Sequence, residues 1–519
     1  MELDILLTGL TPFIPVFGAF TTPLISSAFR KRAASLYYGF LISGLTLLVT
    51  LRLLAQSFSY DAPLVFKAGG WPPPVGIIYI LDRVNAILSF TTALVLTLIF
   101  AYSLEYIRDE GAVWYSILLL GAEAGILGII LTADFFNLFV MLEVTSVSSY
   151  SLVMYYRSRA YAIISGLKYA FVGAMGTTLY FVGCALLYNA YGTLNIIDLS
   201  LKIRGQYVSL TGPPIEAYLL SLGIGLVLMS WAFTIKSGVF PNHFWLPDAH
   251  PAAPTPISAL LSGLVVNIGG VSLYKFMFIA LGGSISPETQ ALKSAVSAIL
   301  MFTGTCSAIV GALLMNIQKD LKRLIAYSTV MNTGFLFMAV STGTTLGLSA
   351  FIYHTIIHSI AKSNLFLSAG IFIKAARSRS LEDISGLGFK HPVASIAFAT
   401  SVLTLAGIPP LPGFLSKMLL YEALFEYNVV TAVVMILAST IGLISYMKIF
   451  YMLFFGTQGR EVEKVSAKIM NAVLLTLSVV LISFTLLLVA YPGFYDAVIT
   501  VTVKQVGEIE TYLESIPLI

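Results

Sequence analysis

Residues 231–264 read WAFTIKSGVFPNHFWLPDAHPAAPTPISALLSGL. An apolar helix enters this stretch carrying Lys236 near its end, and Pro241 lacks the backbone donor that an unbroken helix needs, so the helix must fail within a turn. In a bilayer, an ionisable side chain beside unpaired backbone is tolerated only where other helices or a water-filled cavity surround it. The stretch therefore predicts the interior of a helical membrane bundle with an ion path through it.

Composition points the same way. Of 519 residues, 58% are apolar and 10% charged, and the mean hydropathy is +0.90. A bilayer core takes ~20 helical residues per crossing, and apolar runs recur from end to end, so about fourteen spans are expected. The runs are too continuously apolar for the alternation of an outer-membrane barrel. The first begins behind Glu2 and Asp4 with no basic leader, so no cleavable signal is expected.

The predicted spans cover about 5–28, 34–54, 80–104, 112–132, 134–156, 161–189, 216–246, 255–281, 292–315, 322–341, 347–374, 392–426, 429–455 and 467–490. The seventh should break at Pro241 and the twelfth at GIPPLPG, which holds Pro409, Pro410 and Pro412. The Pro/Gly-rich segment before the third span, with GGWPPPV, cannot be helical. Cytoplasmic loops attract Lys and Arg, and alternate loops here divide them sixteen to six. The richer side begins with Arg30, Lys31 and Arg32 and includes Lys322; the poorer includes Lys202. This division puts both termini outside the cytoplasm.

Seven basic residues remain inside the apolar runs. Arg83, Lys168, Lys275 and Lys448 lie near span ends, where long side chains can reach the headgroups. Lys362 is deep in its span, and Lys236 and Lys417 stand beside the breaks, which marks these three for ion translocation. Glu143 and Glu123 each lie about ten residues into a span, out of reach of either surface. Glu143 therefore requires a cationic partner or a proton-carrying role; Glu123 is a weaker candidate, because TAD before the fifth span would admit water nearby.

His354, His358 and Lys362 are spaced by four and share one helix stripe. A histidine pair at that spacing can bind zinc, but no third ligand is apparent and HExxH is absent, so a proton-exchanging stripe is expected. The two cysteines, Cys184 and Cys306, are too few for an iron–sulfur cluster or a Cys-rich zinc site. No phosphate-binding loop context occurs. No metal, cofactor or nucleic-acid partner is expected, and any redox centre would lie on another chain.

The expected breaks are five spans apart, and a repeat of five must enter the membrane from opposite faces in its two copies. The expected division is residues 1–110 for the first three spans, 111–285 and 286–456 for two inverted five-helix units (spans 4–8 and 9–13), and 457–519 for the last span and tail.

Several segments carry a specific resemblance: TADFFNLFVMLEVTSVSSYSL, IKSGVFPNHFWLPDAHPAAPTPISALLSG, QKDLKRLIAYSTVMNTGF, YHTIIHSIAKSNLFLSAG and LAGIPPLPGFLSK. In order and spacing they resemble the antiporter-like subunits of respiratory complex I, of Mrp-type sodium/proton antiporters and of membrane-bound hydrogenases, most of all the Mrp D-type and hydrogenase group. The resemblance implies Glu143 paired with Lys236, Lys417 as the terminal lysine, a polar stripe of His354, His358 and Lys362 between the halves, and Lys168 as a sixth-span lysine. Asn267 stands where many relatives place an eighth-span lysine.

The function implied is proton or sodium/proton translocation by one subunit of a multisubunit respiratory complex in the cytoplasmic membrane. Its partners would be the lipid bilayer, other membrane subunits and a soluble redox arm carried by other chains. A stand-alone carrier of an organic solute would use the same broken helices to cradle an anion, and a scaffold would keep its charges as structural pairs.

Overall fold

A computed structural model describes all residues except 30–32, 207–217, 458–464, 466, 492, 503–508 and 517–519. The basic corner Arg30, Lys31, Arg32 lies outside the described residues. The chain is an all-α membrane bundle. Its first spans are α1 (Glu2–Phe29), α2 (Ala33–Ser57), α3 (Arg83–Tyr106), α4 (Ala112–Leu131), α5 (Phe135–Val153) and α6 (Ala160–Tyr191). Between α2 and α3 the Pro/Gly segment forms an antiparallel hairpin, β1 (Leu64–Lys67) and β2 (Ile78–Leu81), in the register Leu64↔Leu81.

The seventh span is broken as expected. After the short α7 (Ile196–Ile203), α8 (Tyr218–Ser237) ends four residues before Pro241, and Gly238 turns the chain at φ +62°, which only glycine adopts freely. A 3₁₀ turn, Asn242–Trp245, leads into α9 (Leu246–Ala252). Side chains that follow the break tie it back to the end of α8. The Trp245 indole N–H donates to Ile235 O at 3.1 Å, and Asn242 Nδ2 donates to Thr234 Oγ1 at 2.9 Å.

The eighth span, expected as one helix, is segmented. It runs α10 (Thr255–Leu260), a π-helical stretch Leu261–Val265, α11 (Asn267–Tyr274) and a second π-helical stretch Lys275–Ala280. The span is buried along its whole length. A Cβ on Gly269 would sit 2.3 Å from Ser237 Oγ and 2.4 Å from Phe233 O, so glycine is what lets α11 lie against the broken end of α8.

The remaining elements are α12 (Pro287–Asn316), α13 (Leu321–Ser341), α14 (Thr345–Ala376), α15 (Leu381–Ile384), α16 (Pro392–Ala406), α17 (Pro412–Tyr427), α18 (Val429–Phe455), α19 (Lys468–Ala490), α20 (Phe494–Thr502) and α21 (Ile509–Glu514). Among the described residues, thirteen helical stretches are long and apolar enough to span a bilayer. The fourteenth crossing is the twelfth span, divided into α16 and α17. Pro409 and Pro410 lie in the link, and Pro412 opens α17, where its missing N–H costs nothing. The long α14 is almost wholly buried and packs on α3, α10, α13, α16, α17 and α19, so it forms the axis of the bundle.

One local device occurs twice. Asp134 caps α5 by accepting Asn137 N–H at 2.7 Å, and its neighbours clasp the segment after α6: Phe135 N donates to Leu194 O and Ile196 N to Ala133 O, both at 2.9 Å. Asp320 caps α13 by accepting Arg323 N–H at 3.1 Å, and Leu321 N donates to Arg379 O and Leu381 N to Lys319 O, again both at 2.9 Å. The first clasp joins the start of span 5 to the end of span 6, and the second joins span 10 to span 11. The offset of five is the same as that between the broken helices.

Three basic residues are not where loop counting or snorkelling put them. Lys322 is buried in the first turn of α13 and donates to Ala253 O at 2.8 Å, Ser258 Oγ at 3.1 Å and His250 O at 3.4 Å. Lys202 is buried on α7 and donates to Tyr191 O. Lys275 is buried and donates to Ile130 O at 2.7 Å and Thr132 O at 2.5 Å, where the C-terminal carbonyls of α4 attract a cation. Arg83 and Lys448 do lie partly or fully exposed at span ends.

Candidate functional site

Glu143 sits at the middle of α5, and Ser146 follows one turn later, so both face the same neighbour, α8. Lys236, the penultimate residue of α8, donates to Ser146 Oγ at 2.6 Å, and its ammonium lies 3.9 Å from Glu143 Oε1. Lys236 is buried. Gly173 on α6 faces it: a Cβ there would lie in ordinary contact with Lys236 Nζ, at 3.8 Å.

Glu143 lies at mid-helix, far from both ends of its span, yet it is not enclosed by the bundle. It is 36% exposed in this chain and opens sideways, at mid-helix, on a stripe with the exposed Phe136, Val140 and Val147. One carboxylate oxygen is buried toward Lys236 while the residue as a whole faces out of the chain.

From Lys236 the polar side chains continue across the bundle. Ser237 meets α11 at Gly269, and Asn267 on α11 donates to Gly263 O at 2.8 Å and to Ser359 Oγ on α14 at 3.0 Å. Beside Asn267 and Ser359 lies a cavity of ≈ 20 Å³, also lined by Thr91, Thr92 and Thr355, which admits a single water. On the buried α14 stripe, Lys362 donates to Ile325 O at 3.2 Å and to Ser328 Oγ of α13. The His354 and His358 rings are 5.8 Å apart between centroids, and His354 Nδ1 is 2.6 Å from Ser416 Oγ on α17.

Lys417 follows Ser416 and reaches across the second break. It donates to Ala406 O, the last residue of α16, at 3.0 Å, and to Ser439 Oγ of α18. The cation thus sits at the negative end of the α16 dipole.

Two expected residues lie apart from this row. Lys168 is half-exposed on α6 and forms an ion pair with Asp248 of α9 at 2.6 Å. Glu123 is fully buried on α4, where Ser43 of α2 donates to its Oε1 at 2.9 Å and Thr97 of α3 lies 3.1 Å from Ser43. Among the described residues, no group of three or more His, Cys, Asp and Glu is arranged to hold a metal ion.

Residues 132–445, more than half of the chain, match the family described as NADH:quinone oxidoreductase/Mrp antiporter, TM. The chain belongs to that family. It is 30% identical over 516 residues to the D-type subunit of the Na(+)/H(+) antiporter of Alkalihalophilus pseudofirmus, covering 99% of each chain. It is 29% identical over 395 residues to the N-type subunit of the NADH-quinone oxidoreductase of Desulforudis audaxviator, covering 75% of this chain and 74% of that one. A chain in the structure of the membrane-bound sulfane sulfur reductase, an archaeal respiratory membrane complex, superposes with a TM-score of 0.88 at 26% identity, covering 98% of this chain and 99% of that one.

For a member of the NADH:quinone oxidoreductase/Mrp antiporter family, the expectations named the charges and missed what holds them. Ser146, Ser328, Ser416 and Ser439 each contact a charged or titratable residue of the row. Ser146 and Ser416 had a legible signal, since each lies within one turn of a candidate, Glu143 or Lys417. Ser328 and Ser439 had none, because a serine in an apolar run more often bonds its own helix.

Proposed function

We propose that this chain translocates protons, or exchanges sodium for protons, as one subunit of a multisubunit membrane complex, through the row Glu143, Lys236, Asn267, His358, Lys362, His354 and Lys417. The observation that carries the reading is Lys236, a buried ammonium held by a serine and within 3.9 Å of a carboxylate that faces a neighbouring surface. A carboxylate close by favours the charged ammonium. Withdrawn, it leaves the ammonium in a low-dielectric site with only dipoles around it, and the proton leaves toward Asn267 and α14. Glu143 is positioned to receive that signal from another membrane subunit.

The two inverted units, 111–285 and 286–456, follow from the same reading, supported by the paired breaks and the paired clasps at Asp134 and Asp320. The copies differ in charge: nine residues after Asp134 stands Glu143, and nine after Asp320 stands Thr329, so only the first carries the carboxylate. Segments 1–110 and 457–519 then flank the pair. The reading also places the chain in the cytoplasmic membrane with both termini outside. Moving Lys322 and Lys202 from loops to interior leaves fifteen basic residues against five, the same bias. A soluble redox arm, if present, belongs to other chains.

The test is transport by the complex reconstituted in proteoliposomes. Lys236→Ala should abolish coupled pumping or antiport while the complex stays assembled; undiminished transport would overturn the reading.

A further inference from the structure

A cavity of ≈ 600 Å³ lies away from the row. It opens at the face to which the basic loops are assigned, between the ends of α3, α6 and α14, the α9–α10 corner and the start of α13. Four cations line it, Arg159, Lys322, Arg377 and Arg379, and none of its lining residues is acidic. Arg379 is partly offset by Asp320, which it meets at 3.1 Å, and also donates to Pro251 O. Lys322 spends its donors on the neutral oxygens of Ala253, Ser258 and His250, so its charge is solvated by dipoles without being neutralised. The Arg159 guanidinium lies 4.6 Å over the Tyr156 ring. Tyr106 and Tyr161 add hydroxyls, and Ile373 gives an apolar wall.

Concentrated positive charge in a part-buried cavity repels itself unless an anion enters. The volume suits a small-molecule headgroup, and tyrosine hydroxyls beside arginines are donors for phosphate oxygens. Basic pockets between spans on the cytoplasmic side are where anionic headgroups bind. We propose that this vestibule binds the phosphate of an acidic phospholipid headgroup, held by Arg159 and Lys322 with the tyrosine hydroxyls around it. The face assignment rests on the reading above; the charge and size of the cavity do not.

The test uses the intact complex, purified and stripped of lipid in detergent, and reads its Tm and its retained lipid by native mass spectrometry, so that transport does not enter. Phosphatidylglycerol should raise the Tm of the wild type, and phosphatidylcholine should not. Arg159→Gln should bind phosphatidylglycerol about tenfold more weakly, the loss expected for one charge-assisted contact. A charge-matched control, Arg157→Gln, lies off the cavity lining and should behave as wild type. A rise with inorganic phosphate alone that equals the lipid effect would overturn the lipid source and assign the site to free phosphate. An equal rise with phosphatidylcholine, or an undiminished response in Arg159→Gln, would overturn the site.

Discussion

The Lys236 ammonium lies 2.6 Å from the Ser146 hydroxyl and 3.9 Å from the Glu143 carboxylate. The serine, and not the acid, is its nearer partner. Ser146 in turn donates to Leu142 O at 2.6 Å, so the hydroxyl is fixed as an acceptor for the lysine. That division of labour lets the carboxylate move without releasing the lysine side chain.

Ser146→Ala removes a charge-assisted hydrogen bond of roughly 1.5–3 kcal/mol and leaves the ammonium dependent on Glu143 alone. Transport in proteoliposomes should fall by about tenfold or more, and Glu143→Gln should fall further. If Ser146→Ala transports at the wild-type rate while Glu143→Gln fails, the serine plays no part in holding the cation.

Lys417 contributes both a charge and a cap. Lys417→Met should stop transport and also lower the Tm, because the C-terminal carbonyl of α16 loses its donor at a cost of about 1–2 kcal/mol. Ser439→Ala should lower transport with a smaller effect on Tm, since Ala406 O keeps its ammonium partner. Unaltered Tm in Lys417→Met would mean that the contact across the break does not stabilise it.

Much of this bundle was legible because its signals are covalent or compositional. Pro241 and Pro410 announce interrupted helices through missing donors. Lys322 and Lys275 were misplaced because position along a span tells depth but not direction. Each turns inward to cap carbonyls freed by an irregular neighbour, and that neighbour is remote in sequence. The sideways exposure of Glu143 was hidden for the same reason: a residue at mid-span is far from both aqueous surfaces, yet its azimuth decides whether it meets the bundle or its outside. The π-helical stretches around Asn267 carry no proline or cap to mark them.

Asn267 does not titrate, and it is joined to Ser359 beside a cavity with room for one water. An amide with a hydroxyl and a water conducts protons only as an intact hydrogen-bonded chain. Asn267→Ala should therefore lower transport by about tenfold, taking one neutral hydrogen bond as roughly 1–1.5 kcal/mol, without loss of assembly. Full activity in that variant would show that protons pass from Lys236 to α14 by another route.

Asp134 lies between α4 and α5, outside the spans, and burial pushes its carboxyl up from 3.8 to about 6 despite the backbone N–H groups that lower it. The folded chain therefore holds this proton more tightly than the unfolded chain does. The stabilisation it brings is complete below about pH 4 and is lost as pH rises through 6, a change on the order of 3 kcal/mol for a shift of about two units. Asparagine caps a helix about as well as aspartate but does not ionise. The Tm of Asp134→Asn should match the wild type near pH 4 and exceed it by a margin that grows up to about pH 7 and then levels off. A wild type that is the more stable of the two at pH 8 would mean that the backbone N–H groups of Phe136 and Asn137 hold the charged carboxylate, and that burial is not what governs it.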